Sequence, residues 1–326
     1  MTDISSLETA GEVVELNSEL DWVMRLLLDG TDGVATRHRT AASVAISVEA
    51  TARPFAVGHM TQLARRAWNS GGGETVIEDV CGSGFDVRAL PKDGRAEFTV
   101  RWRPSSTRVA ARHMLPERFQ LLVREALLHY PVLWWASVHA RAPLHAVACT
   151  AGRNVVLLAG PGGVGKSTLL QSEVADGGRA TSDNLCVGDG RTVWGMAEPM
   201  RIEGGRGPRT THGRVEVHLS GRVQCLVPDQ IVVVKRGQGD EAAVTACDAE
   251  TAVRSLVTGT YAAGELSRFW AYAALLAAGS GIGPAQPAIT ETAHAFAARL
   301  DCFQLLLPRV PGTRLSDVLG RVEAIA

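Results

Sequence analysis

Eight residues near the middle of the chain have the types and spacing of a phosphate-binding loop. Residues 160–167 read Gly-Pro-Gly-Gly-Val-Gly-Lys-Ser and match GxxxxGK[ST] at all four defining positions. Glycine lets backbone N–H groups turn inward around a phosphate, because a Cβ atom would block that approach. The N-terminus of the helix expected after the loop adds positive potential. The pattern predicts a bound nucleoside triphosphate with Mg²⁺.

Individual residues of this loop have distinct expected roles. Lys166 reaches the β- and γ-phosphates, Ser167 binds Mg²⁺ through its hydroxyl, and Thr168 adds a hydroxyl contact to phosphate. The chain has only three lysines, so one at this position is informative. The alternative is a glycine-rich turn that only caps a helix. The expected nucleotide-binding residues are Gly160, Pro161, Gly162, Gly163, Val164, Gly165, Lys166, Ser167 and Thr168.

The expected path of the chain brings a carboxylate near this loop. The helix after Lys166 covers roughly 14 Å, and a strand over residues 179–183 covers roughly 16 Å. If that strand runs parallel to the apolar strand at 154–159, as a right-handed crossover requires, Asp183 returns to the level of the phosphates. There it accepts the proton of an attacking hydroxyl or holds the metal. The alternative is a turn in which Asp183 and Asn184 bond their own backbone.

Two common classes of nucleotide-binding protein lack their further motifs here. A GTPase uses an NKxD motif to recognise guanine, and the chain has none. An ABC ATPase has LSGGQ followed by an apolar strand that ends in Asp-Glu. Residues 219–222 match LSGGQ only in part, and the strand expected at 230–234 ends in Lys235-Arg236. The sequence leaves the choice between ATP and GTP open.

Three segments together resemble the HPr kinase/phosphorylase group, whose catalytic domain is related to phosphoenolpyruvate carboxykinase. They are His-Ala-Val-Ala at 145–148, the strand and loop at 154–168, and Arg-Ala-Thr-Ser-Asp-Asn at 179–184. His145 precedes Gly160 by 15 residues, and Asp183 follows Lys166 by 17, as the group's histidine and Asp-Asp pair do. The resemblance covers about residues 140–205 well and the rest of the C-terminal half loosely.

The resemblance implies Mg·ATP-dependent phosphorylation of a serine hydroxyl, with Asp183 as the base. His145 would line the site, although a lone histidine is more often structural and His139 is a competing candidate. Glu203 is similar to the group's metal-binding acid, with a surface carboxylate as the alternative. The expected metal ligands are therefore Ser167, Asp183 and Glu203.

Asn184 departs from the group's pattern, because it replaces the second aspartate of the pair. The departure puts the number of metal ions and the reverse phosphorolysis in doubt, and it indicates a divergent member. The first hypothesis is a kinase that acts on serine of a peptide or protein, on a natural-product precursor peptide, or on a small molecule. Arg201 or a neighbouring arginine would neutralise charge on the transferring group. The second hypothesis is a nucleotide-binding switch protein with little turnover.

The sequence predicts two regions that would position these residues. Residues 1–135 indicate an α+β module, which in the kinase hypothesis recognises the acceptor. Residues 136–326 indicate an α/β domain of the HPr-kinase and phosphoenolpyruvate-carboxykinase type. In the first region we expect a helix at 13–29, whose first part could be strand, strands at 42–48, 74–80, 85–90 and 97–102, an Asp93-Gly94 hairpin turn, and a helix at 116–130.

The second region alternates apolar strands with helices. We expect strands at 145–148, 154–159, 179–187, 192–195, 230–234 and 305–307, and helices at 167–175, 250–257, 266–278, 290–300 and 315–324. Between them lies a Gly/Arg-rich stretch, expected to be a mobile loop that contacts phosphate or an acidic substrate, or else a solvated surface loop. Its arginines are Arg201, Arg206, Arg209, Arg214 and Arg222.

Composition limits the partners. The chain has 326 residues, 46% of them hydrophobic, and a net charge of −1, so no charge imbalance points to nucleic acid or to a membrane surface. Its six cysteines are scattered without zinc-site spacing, as in a reducing compartment. We read no signal peptide and no apolar run long enough for a membrane span. The expectation is a soluble cytoplasmic protein, and a homo-oligomer is compatible with it.

Overall fold

The computed structural model describes residues 4–37, 41–204, 210, 213–309 and 312–323. It is a mixed α/β structure with several sheets. The described residues form two compact units. Unit 1 comprises those within Met1–His139 and Arg268–Pro287, with Thr210, and unit 2 comprises those within Ala140–Pro208, Gly213–Ser267 and Ala288–Ala326.

Two strands come first among the described residues, and groups of strands and helices alternate after them. The strands are β1 (Ser5–Thr9), β2 (Glu12–Ser18), β3 (Val44–Glu49), β4 (Thr61–Ala64), β5 (Ala67–Asn69), β6 (Thr75–Ile77), β7 (Phe85–Lys92), β8 (Arg95–Trp102), β9 (Ala142–Leu144), β10 (Val147–Ala151), β11 (Asn154–Ala159), β12 (Cys186–Gly188), β13 (Val193–Gly195), β14 (Met200–Glu203), β15 (Arg214–Val217), β16 (Cys225–Leu226), β17 (Gln230–Arg236), β18 (Ala243–Ala246) and β19 (Asp301–Leu307). The α-helices are α1 (Asp21–Asp29), α2 (Ser106–Met114), α3 (Pro116–Arg124), α4 (Tyr130–Val138), α5 (Lys166–Ala175), α6 (Ala249–Tyr261), α7 (Phe269–Ser280), α8 (Ile289–Ala297) and α9 (Leu315–Glu323).

Unit 1 is built on an eight-stranded sheet in the order β1-β2-β3-β8-β7-β6-β5-β4. The hairpin expected at Asp93-Gly94 is confirmed, since β7 and β8 pair antiparallel up to Lys92 opposite Arg95. Both turn residues have positive φ, 52° and 76°, which matches the right-handed twist of the strands. The sheet strands expected at 42–48, 85–90 and 97–102 are confirmed within a few residues.

Of the two helices expected in unit 1, the segment at 13–29 takes the named alternative for its first part. It begins as strand β2, whose alternate residues are buried, and its second part is helix α1. The helix expected at 116–130 continues to Val138, because a π-helical segment, Glu125–His129, joins α3 to α4. All residues from Ala126 to Ser137 are buried, so the segment has no polar face to mark its end.

Unit 2 contains a five-stranded sheet in the order β10-β11-β17-β19-β18. Its central strands β11, β17 and β19 are parallel, and β10 and β18 pair antiparallel at the two edges. A second sheet has the order β16-β13-β12-β9, and β14 pairs with β15. Leu158, Val232 and Leu305 belong to the buried cluster that also contains Leu169 and Leu319 from helices α5 and α9. This packing fixes the start of α5 at the end of β11.

The strand expected at 179–187 is wrong for most of its length. Ala180 forms only isolated bridges, antiparallel to Cys149 of β10 and parallel to Arg222, and strand β12 begins at Cys186 in the second sheet. Because β10 lies between, the segment does not neighbour β11. Its polar side chains at Ser182 and Asp183 are buried instead of alternating with exposed ones as strand residues would.

The Gly/Arg-rich stretch is also not simply a loop. Strands β14 and β15 pair antiparallel, with Glu203 opposite Arg214. Arg222 links two backbone segments, because its Nη1 donates to the carbonyl oxygens of Thr181 and Met196 at 3.1 and 3.2 Å. Arg206 and Arg209, which the sequence assigned to this loop, lie outside the described residues.

The division into units differs from the boundary drawn at residue 135. Unit 1 extends to His139 and also contains α7, which the sequence assigned to the second region. Within unit 1, α7 packs through Phe269 and Tyr272 against Tyr130, with ring centroids 5.6 and 5.8 Å apart. In the described part of the chain, every helix is too short or too polar to cross a membrane.

Candidate functional site

The loop at residues 160–167, which we call the glycine loop, connects β11 to α5 as the sequence predicted. Gly160, Gly163 and Gly165 have φ of 152°, 76° and 120°, where side chains are strained. A Cβ atom on Gly160 would lie 2.9 Å from the Val234 carbonyl oxygen, and one on Gly165 would lie 2.8 Å from Leu307 Cδ1. Both conformation and space therefore require glycine at these two positions.

The glycine loop lines a cavity of ≈ 380 Å³ within unit 2. Gly162 and Gly163 face open space, because a Cβ atom on either would have no atom within 4 Å. Ser167 and Thr168 line the same cavity from the first turn of α5. Its volume is within the usual range for small-molecule sites. A further group of lining residues consists of His145, Asn184, Arg201, Glu203, Arg214, Arg236 and Glu265.

Lys166 is buried at the centre of the loop, with 5% of its surface exposed. Its Nζ donates hydrogen bonds to the carbonyl oxygens of Gly160 at 2.7 Å and Pro161 at 3.1 Å. Burial lowers the pKa of Lys166 to about 8, although the carboxylates of Asp183 and Glu265 oppose the shift. An added anion would therefore be attractive to this ammonium group, since the protein supplies it mainly with neutral carbonyl partners.

Asp183 lies beside the glycine loop and is 3% exposed. Its Oδ2 accepts a hydrogen bond from the Arg201 backbone N–H at 2.9 Å. Burial raises the pKa of Asp183, while the Arg201 N–H, the Ser167 hydroxyl and the charge of Arg201 lower it. Its Oδ1 is buried and makes no hydrogen bond with a described residue. The structure thus brings Asp183 together with Ser167 and Lys166, which the sequence placed at one site.

His145 is linked to the site through Asn184. Its Nε2 donates to the Asn184 Oδ1 at 2.7 Å, and burial, together with the charge of Lys166, lowers the pKa of His145 to about 4. The Asn184 side chain also bonds the carboxylate of Glu265, so its amide bridges His145 and Glu265. The ring of His145 is therefore neutral at pH 7, with its Nε2 proton already engaged.

Arg201 is held between two acids that the sequence did not indicate. Its Nη2 lies 3.2 Å from Glu198 Oε2, and its Nη1 lies 3.3 Å from Glu265 Oε1. Glu198 is 2% exposed, and its Oε1 also accepts the Leu185 N–H at 3.2 Å. Burial raises the pKa of Glu198 to about 7, although Arg201 opposes the shift. For Glu265, burial raises the pKa, but its own backbone N–H, Arg201, His145 and Asn184 together outweigh burial and lower the pKa overall.

Two sequence-predicted candidates lie apart from this cluster. The Glu203 side chain is 88% exposed at the edge of the cavity, with Arg214 Nη2 at 4.0 Å, and it bonds neither Ser167 nor Asp183 in the described structure. His139 belongs to unit 1, where its Nδ1 lies 2.7 Å from Glu12 Oε1. His139 is therefore not the histidine of this site, and Glu203 has the surface position named as its alternative.

Oxygen donors for a cation are present in part. Among the described residues, no group of three or more His, Cys, Asp or Glu side chains is placed to hold a metal ion. Proteins often hold Mg²⁺ through only one or two oxygen ligands, while phosphates and water supply the others. The Ser167 hydroxyl and the unpartnered Asp183 Oδ1 fit such a site. The donors present thus fit a metal that arrives with a polyphosphate.

The glycine loop, the buried ammonium group of Lys166 and the guanidinium group of Arg201, which two acids fix, line the cavity. The Asp183 carboxylate, whose pKa burial raises, is buried beside Lys166 and Ser167 and is not a lining residue. Comparison of the chain with protein-family models finds no match, and comparison with curated proteins finds no significant relative.

Proposed function

We propose that this chain is an ATP-dependent kinase, a divergent relative of the HPr-kinase-like enzymes, that transfers the γ-phosphoryl group to a hydroxyl. One observation carries the proposal: the buried Asp183 carboxylate interacts with Ser167 and Lys166 at the glycine loop. A loop that binds phosphate needs glycines, an ammonium group and a hydroxyl, and a buried carboxylate whose pKa is raised beside them supports chemistry on the phosphate.

Lys166 and the glycine loop hold the phosphates. The Lys166 ammonium group exchanges its carbonyl partners on Gly160 and Pro161 for phosphate oxygens, which carry full charge and bind it more strongly. Ser167 would hold Mg²⁺ through its hydroxyl, and Asp183 would be a second ligand only where it binds the metal instead of acting as the base. Bound there, Mg²⁺ would neutralise negative charge on the phosphates.

Asp183 is the general base in this proposal. Its Oδ2 is oriented by the Arg201 N–H, which leaves Oδ1 for the proton of the acceptor hydroxyl. A raised pKa suits this role, because a base works best when its pKa is near the working pH. The second role named for Asp183, as a metal ligand, uses the same oxygen and depends on the charged form.

Arg201 stabilises negative charge on the transferring group. Its guanidinium group lines the cavity and is fixed by Glu198 and Glu265, so it loses little freedom when a phosphate arrives. His145 lines the cavity as a neutral ring. The acceptor is a serine of a peptide or protein, including a natural-product precursor peptide, or a small-molecule alcohol.

The test compares the wild-type protein with Asp183→Asn. Asparagine keeps an oxygen for the Arg201 N–H and removes the base, so transfer from γ-labelled ATP is expected to fall by about 10²–10⁴-fold. ATP affinity, measured separately by calorimetry, is expected to change less than about tenfold. Glu203→Gln is the matched control, because that acid is 88% exposed. Full transfer by Asp183→Asn would remove Asp183 from the mechanism.

One feature favours a second candidate function, a nucleotide-binding switch with little turnover. Asn184 stands where the related kinases have a second aspartate, and its amide is engaged by His145 and Glu265. Candidate acceptors are the proteins and peptides encoded by neighbouring genes, weighed for the gain of one phosphoryl group. Tight nucleotide binding with neither transfer nor stimulated hydrolysis would favour the switch.

A further inference from the structure

Unit 1 contains a second cavity, of ≈ 280 Å³, formed by residues of α1, α2 and α3. Its lining contains three arginines, one acid and two aromatic residues. The residues that define this character are Trp22, Arg25, Asp29, Arg112, Phe119 and Arg124. None of them belongs to the glycine-loop cavity. We call it the arginine cavity.

Arg124 is placed in the arginine cavity by specific packing. It is only 8% exposed, and its Nε donates to the Leu26 carbonyl oxygen at 3.3 Å. Gly30 makes room for it, because a Cβ atom there would lie 2.8 Å from Arg124 Cδ. A buried arginine that lines a cavity raises the positive potential inside it, since low-dielectric walls screen charge poorly.

Arg112 is fixed by an aromatic cluster. Its guanidinium carbon lies 3.9 Å from the centroid of the Trp22 ring, in cation–π geometry. Trp22 in turn packs against Trp102 and Phe119, with ring centroids 5.4 and 6.3 Å apart. Arg112 therefore presents its N–H groups from a rigid platform, which lowers the entropy lost when they bind an anion.

An exposed apolar rim adjoins the cavity. None of the nine residues of α2 is buried. Val109, Met114 and Leu115 are 41%, 77% and 49% exposed, and Leu115 directly precedes Pro116, which lines the cavity. Val109 precedes Arg112 by three residues, and Met114 and Leu115 lie between Arg112 and Pro116, so exposed apolar side chains flank the cavity residues along the chain.

We propose that the arginine cavity and its rim bind an acidic peptide segment that carries apolar side chains. Carboxylates of the peptide pair with Arg25 and Arg112, the charge of Arg124 adds to the attraction, and the apolar side chains of the peptide cover Met114 and Leu115. The charge of the wall, three arginines against one aspartate, selects for the acidic partner. An apolar rim gives a small inorganic anion no contact, so a peptide fits better than phosphate. Binding of the peptide does not depend on phosphoryl transfer. The idea that this peptide also carries the hydroxyl that accepts the phosphoryl group rests on the proposed function.

The experiment measures fluorescence anisotropy of a labelled 12-residue peptide of alternating Glu and Leu, added to the full chain without nucleotide. Peptides of alternating Lys and Leu, and of Glu and Gly, test charge and apolar contact separately. Arg25→Glu and Arg112→Glu are each expected to weaken binding of the Glu/Leu peptide at least tenfold. The matched control is Arg118→Glu, an exposed arginine of α3 outside the cavity, with an expected change under twofold.

Each other outcome has a definite meaning. Equal binding of the Lys/Leu peptide, or equal loss in Arg118→Glu, overturns the proposal. Displacement of the peptide by millimolar inorganic phosphate, with equal binding of the Glu/Gly peptide, shows a small-anion site and also overturns it. If an arginine variant fails to fold, Met114→Ser with Leu115→Ser replaces it, because both side chains are exposed. ATP affinity of the same variants is expected to be unchanged, so failure here is distinct from failure of the kinase proposal.

Discussion

Glu198→Gln tests how the acids around Arg201 determine stability. The Glu198 carboxylate accepts from Arg201 Nη2 and from the Leu185 N–H, each at 3.2 Å, and it is 2% exposed. Asp183 and Glu265 lie close enough to repel its charged form, and Arg201 attracts it. Glutamine has the same shape and keeps one acceptor oxygen, but it cannot ionise.

The expected change in the free energy of unfolding follows from the pKa of Glu198. Burial raises the pKa of Glu198 from its ordinary value of 4.5 to about 7. Because the folded protein holds this proton more tightly than the unfolded chain, the proton stabilises the fold, and that stabilisation is lost as the pH rises from 4.5 to 7. At about 1.4 kcal/mol per pKa unit, the loss is about 3 kcal/mol. Glu198→Gln removes this pH-dependent loss of stability, because glutamine does not ionise.

The assay is urea unfolding of both proteins between pH 5 and pH 8. Between pH 5 and pH 8 the stability of Glu198→Gln relative to wild type is expected to rise by about 2–3 kcal/mol, added to a constant cost for the second acceptor oxygen that glutamine lacks. Glu203→Gln, with a side chain 88% exposed on neighbouring strand β14, is the control and should follow the wild type. A difference between Glu198→Gln and wild type that does not change with pH would refute the reasoning.

Three further substitutions test other parts of the site. Lys166→Met removes a buried ammonium group, so we expect at least tenfold weaker binding of a fluorescent ATP analogue with an equal or higher melting temperature. Asn184→Asp places a carboxylate beside Glu265 and removes the bridging amide; urea unfolding at pH 8 should show a loss of about 1–3 kcal/mol. Gly165→Ala puts a side chain at φ 120° and should lower the unfolding free energy by about 1–3 kcal/mol, whereas Gly162→Ala, whose Cβ meets no atom within 4 Å, should change it by less than about 0.5 kcal/mol.

The parts of the site that the sequence predicted are those encoded locally. The glycine loop, strand β11 before it and helix α5 after it follow from one continuous stretch of residues. The position of Asp183 beside the loop depended only on the lengths of a helix and a returning segment. That segment runs antiparallel to β10 and therefore parallel to β11, so its predicted direction was right. Its predicted neighbour was wrong, because it lies beside β10 and not beside β11.

Glu198 and Glu265 had no signal in the sequence. Glu198 follows strand β13 in a segment with no regular structure, and Glu265 sits in a single 3₁₀ turn after α6. An isolated glutamate in such places looks like a solvated surface acid. Only the tertiary fold brings both acids to Arg201, and no local sequence pattern predicts that they lie close to it. The same reason applies to the fixed position of Arg201 itself.

Asn184 shows how one such acid changes the meaning of a sequence difference. Compared with an Asp-Asp pair, the asparagine looks like a lost carboxylate. In the folded chain its amide contacts the carboxylate of Glu265 and the ring of His145, so an acid from a distant segment lies beside it. A second aspartate at 184 would face Glu265 without a donor between them. The asparagine therefore supplies the amide donor that Glu265 needs, and Asp183 is the acid next to it whose Oδ1 is buried without a hydrogen-bond partner among the described residues.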